Sequence, residues 1–324
     1  MRTIIPALLA GATLLSASGA SAQSDYPNRP IRWLIGFPPG GATDVTARVL
    51  VPYLTDSMKQ QVVVDNRGGA HGNIASEIVA KAAPDGYTLL MGTISMLAIN
   101  PALYRKLPFD SVRDFAPVSV LVSLSNVIVL HPTVPANSMK ELIALAKTRP
   151  GTLTYATSGA GSPGHLAGEL LNTTAKISMI HVPYKGGAPA INDLLGGQVN
   201  IMIATTPTAV PHIKSGRVNA LAVTTQKRSV ALPQVPTIAE ATGFAGYEAN
   251  NWYGVLGPAK LPAPIVARLN REFHAALKTP EVRDKLLVQG LEPAPTTPEE
   301  FAAYLKYEIA KWGKVARDAG AKVE

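Results

Sequence analysis

The chain has 324 residues, enough for two ordinary domains and a large core. A composition of 47% hydrophobic and 16% charged residues excludes a disordered chain, and the absence of cysteine excludes disulfide staples, thiolate catalysis and thiolate metal sites. The formal net charge of +8 favours anionic partners by long-range steering, yet no run of several basic residues occurs, so no nucleic-acid partner is expected.

The amino terminus reads as a secretion leader spanning residues 1–22. Arg2 supplies a basic start, residues 4–15 form an apolar run too short to span a bilayer, and Ala20-Ser21-Ala22 is a small-x-small cleavage site. Its removal leaves 29 basic against 22 acidic side chains, since Arg2 is its one charged residue. The mature chain is therefore expected in the periplasm, and the absence of a cysteine for lipidation argues against a lipoprotein.

Residues 31–37 (IRWLIGF) have the length and the β-branched and aromatic content of a buried strand. Pro38-Pro39-Gly40-Gly41 ends it, and Thr43 and Asp44 offer side-chain oxygens to cap a helix beginning near Val45. A strand that passes through glycines into a helix leaves backbone N–H groups unpaired at the positive end of a helix dipole. Such a turn is a natural seat for an anion.

Residues 61–65 read as a second strand, which leads through the glycine-rich segment 66–73 into a helix ending near Lys81. A third strand covers 87–91, and Gly92-Thr93-Ile94-Ser95 opens another helix. Strands alternating with helices at this spacing predict a parallel sheet with crossover helices. Residues 118–130 read as one extended apolar run.

A second series follows, with helices at 138–148, 165–174, 188–195 and 207–215 and strands at 153–157, 177–184, 199–204 and 218–223. Residues 228–243 are punctuated by proline and read as an irregular connection. After a short strand at 253–256 come helices at 263–277 and 280–289. Thr297-Pro298-Glu299-Glu300 is a capping box that launches a last helix, with an apolar stripe at Phe301, Leu305, Ile309, Trp312, Val315 and Ala316. That helix is expected to pack back on the first domain. The chain thus divides into residues 23–125 plus 245–324 as one discontinuous α/β domain and 126–244 as a second, joined by two crossings that form a hinge.

The turn at 158–164 (SGAGSPG) repeats the pattern of the first, with Ser162 at an N-cap and Pro163 in the first helical turn. One such turn per lobe lets a bound anion accept hydrogen bonds from both sides of a cleft, each charge-assisted bond contributing ~1.5–3 kcal/mol. Phe37, Trp252 and Tyr253 are available as an apolar wall. Thr93, Ser95, Thr205 and Thr206 each follow a strand on the expected cleft side. His165 lies in the first helical turn beside the second glycine loop, whereas the other histidines are scattered. Lys185 either faces an anion or is a solvated loop lysine. Asp44 would repel a nearby carboxylate, so it either caps its own helix or meets a cationic or hydroxyl group on the ligand.

Gly159-Ala160-Gly161-Ser162-Pro163-Gly164 also fits the dinucleotide fingerprint GxGxxG. The acid expected about 20 residues further on is missing, since residues 181–186 read HVPYKG. There is no GxSxG elbow, no HExxH and no histidine pair at metal-ligand spacing, so neither cofactor nor metal is expected.

Six segments in order carry a resemblance to a known family: 26–31 (YPNRPI), 37–44 (FPPGGATD), 64–70 (VDNRGGA), 84–90 (PDGYTLL), 181–186 (HVPYKG) and 232–237 (LPQVPT). The chain resembles the substrate receptors of tripartite tricarboxylate transporters, the Bug-type extracytoplasmic solute receptors, over all of its mature length. The resemblance implies a two-lobed type II periplasmic binding protein fold, α/β in both lobes, with a hinge and a central ligand cleft. It implies a small carboxylate as ligand, in the range of citrate-like acids, acidic amino acids, nicotinate and aromatic dicarboxylates, and integral membrane transporter subunits as partners. Matched to the family's turns, Gly40, Gly41, Thr43 and Asp44 fall on the first and Ser158, Gly159, Gly161 and Ser162 on the second. With Phe37, Ser95, His165 and Thr205 these are the candidate ligand-binding residues. His71 stands where many members have glycine. A monomer without catalytic residues is expected. The alternatives are an exported nucleotide-binding enzyme that uses the glycine loop, and a ligand sensor that docks on a signalling protein.

Overall fold

The computed structural model describes residues 26–318. The leader expected at 1–22 lies outside them. β1 (Ile31–Ile35) pairs in parallel with β2 (Val62–Asn66) on one side and β3 (Thr88–Thr93) on the other. The connections run through α1 (Ala42–Met58) and α2 (Asn73–Ala80). A π-helical turn, Ser95–Ile99, follows β3 and continues into α3 (Asn100–Leu103).

The apolar run at 118–130 is not one strand. It is broken at Ser125 into β4 (Phe115–Leu124) and β5 (Asn126–Leu130), which belong to different sheets. From β5 the chain builds α4 (Met139–Thr148), β6 (Thr154–Thr157), α5 (Pro163–Ala175), β7 (Ile180–Pro183), α6 (Gly187–Leu195), β8 (Ile201–Thr205), α7 (Thr206–Lys214), β9 (Asn219–Val223) and α8 (Ile238–Thr242). It rejoins the first sheet at β10 (Asn251–Pro258) and ends with α9 (Ala263–Lys278), α10 (Pro280–Val288), β11 (Leu291–Pro293) and α11 (Pro298–Asp318). The result is a six-stranded sheet ordered β11-β4-β10-β3-β1-β2 and a five-stranded sheet ordered β7-β6-β8-β5-β9.

Both sheets are mixed, which corrects the expectation of a purely parallel one. β10 runs antiparallel to β3 and β4, and β5 runs antiparallel to β8 and β9. The physical reason is the hinge. A strand that arrives straight from the other lobe enters its sheet without a crossover helix to turn it round. The expected strand at 253–256 also extends to the full eight residues of β10, all of them buried at the centre of the sheet.

Local signals explain the helices. Ser138 caps α4 by accepting from the Glu141 N–H at 3.2 Å. Thr297 and Glu300 form the capping box of α11, each side chain accepting from the other's backbone N–H, at 2.8 and 3.1 Å. A second capping box, Thr237 with Glu240, starts α8 inside the segment expected to be irregular. The Thr-x-x-Glu spacing was present there, obscured by the surrounding prolines. α1 is a further correction: it starts at Ala42 with Gly41 as N-cap, so Thr43 and Asp44 lie inside its first turn and not ahead of it.

α11 lays Phe301, Leu305, Trp312 and Ala316 against the six-stranded sheet, each buried. Phe301 occupies the space left by the missing side chain of Gly254, where a Cβ would lie 2.6 Å from its Cζ. Burying a side chain of this size stabilises the fold by about 1.5–3 kcal/mol. The indoles of Trp252 and Trp312 both donate to the buried Glu308 carboxylate, at 3.3 and 3.0 Å. Among the described residues no helix is long and apolar enough to cross a membrane.

Candidate functional site

The two lobes meet over a narrow pocket of about 50 Å³ set against both crossings. The first lobe supplies Phe37, Gly41, Ala42 and Thr43 from the β1–α1 turn, then Thr93 and Ser95 from the end of β3. The second supplies Ser158 and Pro163 from the β6–α5 turn, Gly187 at the start of α6, and Thr205 and Thr208 where β8 meets α7. Asn126, Asn251 and Tyr253, at the starts of the two crossing strands, form the floor. Met202, Ile203 and Ala204 of β8 complete an apolar side.

The electrostatics of this inner chamber come from the backbone. None of its lining side chains is charged, but the first turns of α1, α5, α6 and α7 all abut it. Helix starts carry orphan N–H groups and roughly half a positive charge each, so their convergence suits an anion without a counter-ion. Thr43, Ser95 and Ser158 add hydroxyls with no hydrogen-bond partner among the described residues. Asn126 Nδ2 and Asn251 Oδ1 are buried without a partner as well. An unpaired buried polar atom is unfavourable by about 1–3 kcal/mol, and both of these belong to residues that line the chamber. Burial pushes the Tyr253 phenol well above its ordinary range, so it remains a neutral donor, with Asn251 and Thr205 at hydrogen-bonding reach.

The expected site residues divide accordingly. Phe37, Gly41, Thr43, Ser95, Ser158 and Thr205 line the inner chamber. Gly159 lies further out, beside His71. Gly40, Asp44, Gly161, Ser162 and His165 are not in the inner wall, and each has a structural duty instead. Asp44 is buried and accepts from the Gly40 N–H at 3.0 Å and from Arg48 Nε at 2.8 Å. Burial pushes its carboxyl up, but the Arg48 guanidinium and the Gly40 amide hold it below the usual range, so it tightens the turn as an anion. Gly40 itself has φ +79°, a left-handed conformation that a side chain would strain.

The second glycine turn is largely satisfied from within. Gly159 N–H donates to Thr157 Oγ1 at 3.2 Å, Gly161 N–H to His165 Nδ1 at 3.1 Å, and Ser162 N–H to the Gly159 carbonyl at 3.1 Å. Ser162 Oγ accepts from the His165 N–H at 3.1 Å, which makes Ser162 the N-cap it was expected to be. His165 stacks on His181 with ring centroids 4.0 Å apart, away from the inner chamber. With its amides used in this way, the GxGxxG turn offers no open cradle for a pyrophosphate. A Cβ on Gly164 would lie 2.5 Å from the Ile203 carbonyl, so that glycine serves helix-on-strand packing.

Of the other residues singled out in the sequence, Thr93 and Tyr253 line the chamber. Trp252 turns into the core beside Phe301, and Thr206 donates to the Ser125 and Gly290 carbonyls at 3.2 and 3.1 Å. Asn126, Asn251 and Thr208 carried no local signal as site residues, since only the crossing of the strands and the α7 start brings them there. The lobes are closed on one another. A Cβ on Gly186 would lie 3.2 Å from the Pro38 ring and one on Gly159 2.8 Å from His71 Nδ1, each pair spanning the cleft mouth. The His71 backbone is left-handed (φ 52°), its ring stands edge-on to Phe37 at 5.5 Å, and its Nε2 is buried without a partner.

A closed two-lobed α/β protein with an amide-lined pocket at its hinge has the architecture of a periplasmic binding protein. Residues 46–321 match the Tripartite tricarboxylate transporter family receptor model, and the chain belongs to that family. Protein BugT of Bordetella pertussis is 42% identical over 316 residues, covering 97% of this chain and 96% of BugT. Among solved structures, R. palustris Rpa4515 with adipate superposes with a TM-score of 0.89 at 39% identity, over 92% of this chain and 100% of that one. MatC from Rhodopseudomonas palustris with bound malate gives a TM-score of 0.83 at 31% identity, over 90% of this chain and 99% of that one.

Proposed function

We propose that this protein captures a small organic carboxylate between its lobes in the periplasm and delivers it, unchanged, to the integral membrane subunits of a tripartite tricarboxylate-type transporter. The observation that carries the reading is the inner chamber, where helix starts from both lobes converge on a space without a charged side chain. A carboxylate satisfies those amides and the hydroxyls of Thr43, Ser95 and Ser158 together, and the apolar side formed by Phe37 and Met202 receives its hydrocarbon body. The adipate and malate held by two solved relatives are small carboxylates of this class. In this reading residues 23–125 with 245–324 move as one body and residues 126–244 as the other, and the protein works as a monomer.

A thermal-shift screen of unfolded-and-refolded, ligand-free protein against mono-, di- and tricarboxylates tests it. A true ligand raises the melting point progressively with concentration. It is also recovered chemically intact after denaturation, which separates a receptor from an enzyme. No response to any carboxylate at millimolar concentration would rule the reading out.

A further inference from the structure

The crossings separate the inner chamber from a second concavity at the back of the hinge. Asn126 and Asn251 line the chamber, whereas their chain neighbours Ser125 and Asn250 line a groove of about 240 Å³ that shares no residue with it. Glu292 of β11 forms part of the groove's first-lobe wall, and the loop after β9, with Lys227 and Arg228, forms its second-lobe wall. Chamber and groove thus lie on either side of the same two crossings, each walled by both lobes.

Four charged side chains line the groove, and two of them are committed elsewhere. Arg228 Nε donates to Glu240 at 2.8 Å and Arg228 Nη1 to the Pro233 carbonyl at 3.1 Å, both within the second lobe. The Glu248 carboxylate accepts from the Gln226 and Asn250 amides. Lys227 and Glu292 remain, with no ion-pair or side-chain hydrogen-bond partner among the described residues. They carry opposite charges and sit on opposite lobes. Each is also two residues from a point where the lobes touch, since a Cβ on Gly290 would lie 3.2 Å from Ser229 Oγ.

A hinge between two concavities works as a seesaw: closing on the chamber side spreads the back, and opening narrows it. We propose that Lys227 and Glu292 are a latch for the open state, an ion pair across the back of the hinge that forms when the lobes part and breaks when they close. The latch holds the empty protein open without touching the guest, so every guest binds against it. This goes beyond the proposed function and requires only that the lobes close, whatever the chemistry of the guest.

The test is small-angle scattering of ligand-free protein at low ionic strength. Lys227→Met and Glu292→Gln are each expected to give a smaller radius of gyration than the wild type. The exchanged pair Lys227→Glu, Glu292→Lys is expected to return it to the wild-type value. In about 1 M salt, where the screening length falls to about 3 Å, the wild type should shift to the value of the single variants. Each single variant should also bind a carboxylate found by the thermal-shift screen about two- to fivefold more tightly, the scale of a partly exposed ion pair. Single variants that scatter like the wild type, an exchanged pair that stays compact, or compaction by Glu248→Gln in place of Glu292→Gln would each overturn the latch. The scattering needs no ligand, so it decides the latch even if every carboxylate fails to bind, and a failed latch leaves the carboxylate function standing.

Discussion

Gly159 and His71 face each other across the cleft mouth, and Gly159 has no room for a side chain. Gly159 has φ +142°, and any Cβ there would meet His71 Nδ1 at 2.8 Å. Gly159→Val is therefore expected to hold the lobes apart: the ligand-induced melting shift shrinks or vanishes, while circular dichroism of the free protein is unchanged. Strained backbone of this kind destabilises by about 1–3 kcal/mol, so a modest fall in melting point accompanies it. Removing the ring in the double variant His71→Gly, Gly159→Ala should restore part of the affinity that Gly159→Ala alone loses. His71 also predicts a pH dependence. Burial, reinforced by the neighbouring His165, pushes its pKa from 6.5 to about 4 in the closed form. Opening exposes the ring to water, so the open form binds the extra proton below pH 6.5 and closing must release it. Affinity is then flat above that value and falls about tenfold per pH unit below it, levelling off near 4. Titrations between pH 7 and pH 5 check the slope, and His71→Gly should remove it; a slope of the opposite sign would refute the assignment. No local pattern signals this role, because it depends on a contact between segments nearly ninety positions apart, from His71 to Gly159.

At the level of elements, two serines on one turn have separable duties. Ser162 is fully buried and caps α5, so Ser162→Ala should lower stability by about 1 kcal/mol, read as a melting point a few degrees lower, with ligand affinity retained. Ser158 lines the inner chamber and its hydroxyl is unpartnered, so Ser158→Ala should leave the melting point of the free protein unchanged and weaken carboxylate binding about tenfold. Equal behaviour of the two variants in both assays would contradict the division. Caps such as Ser138, Ser162 and Thr297 were legible in the sequence because their partners lie three residues away. So was the strand–glycine–helix rhythm that places Gly41, Thr43 and Ser158 at the cleft. Asn126 and Asn251 were not: each opens a buried strand in an apolar stretch, and nothing local separates a core amide from one facing a cavity. The antiparallel entry of β5 and β10 was hidden for the same reason, since strand direction is set by which lobe the chain has just left.

For the molecule as a whole, the hinge is a knot of buried polar contacts more than a flexible linker. The Asn126 N–H donates to Thr224 Oγ1 at 3.2 Å, Thr224 N–H returns to the Asn126 carbonyl at 2.9 Å, and Thr224 Oγ1 donates to the Ala249 carbonyl at 2.9 Å. Thus both crossings are bonded to one residue. Thr206, at the start of α7, is tied to Ser125 and to Gly290 beside β11, so the inner end of the second lobe is anchored to the first. Motion about such a knot is smallest at the inner chamber and largest at the mouth, where Pro38 approaches Gly186 and His71 approaches Gly159. Closure then completes the outer wall around a guest already seated on the helix starts. Small-angle scattering should show a smaller radius of gyration on saturation with a carboxylate ligand. Thr206→Val keeps the shape of the side chain and the Thr206 N–H bond to the Ser125 carbonyl but leaves the Gly290 carbonyl without its donor, an expected loss of about 1–3 kcal/mol in stability. If the anchor sets the axis of closure, the same variant should blunt the ligand-dependent compaction while the unliganded protein becomes more variable in shape. A variant that is less stable yet compacts as fully as the wild type would show that Thr206 supports the fold without guiding the motion.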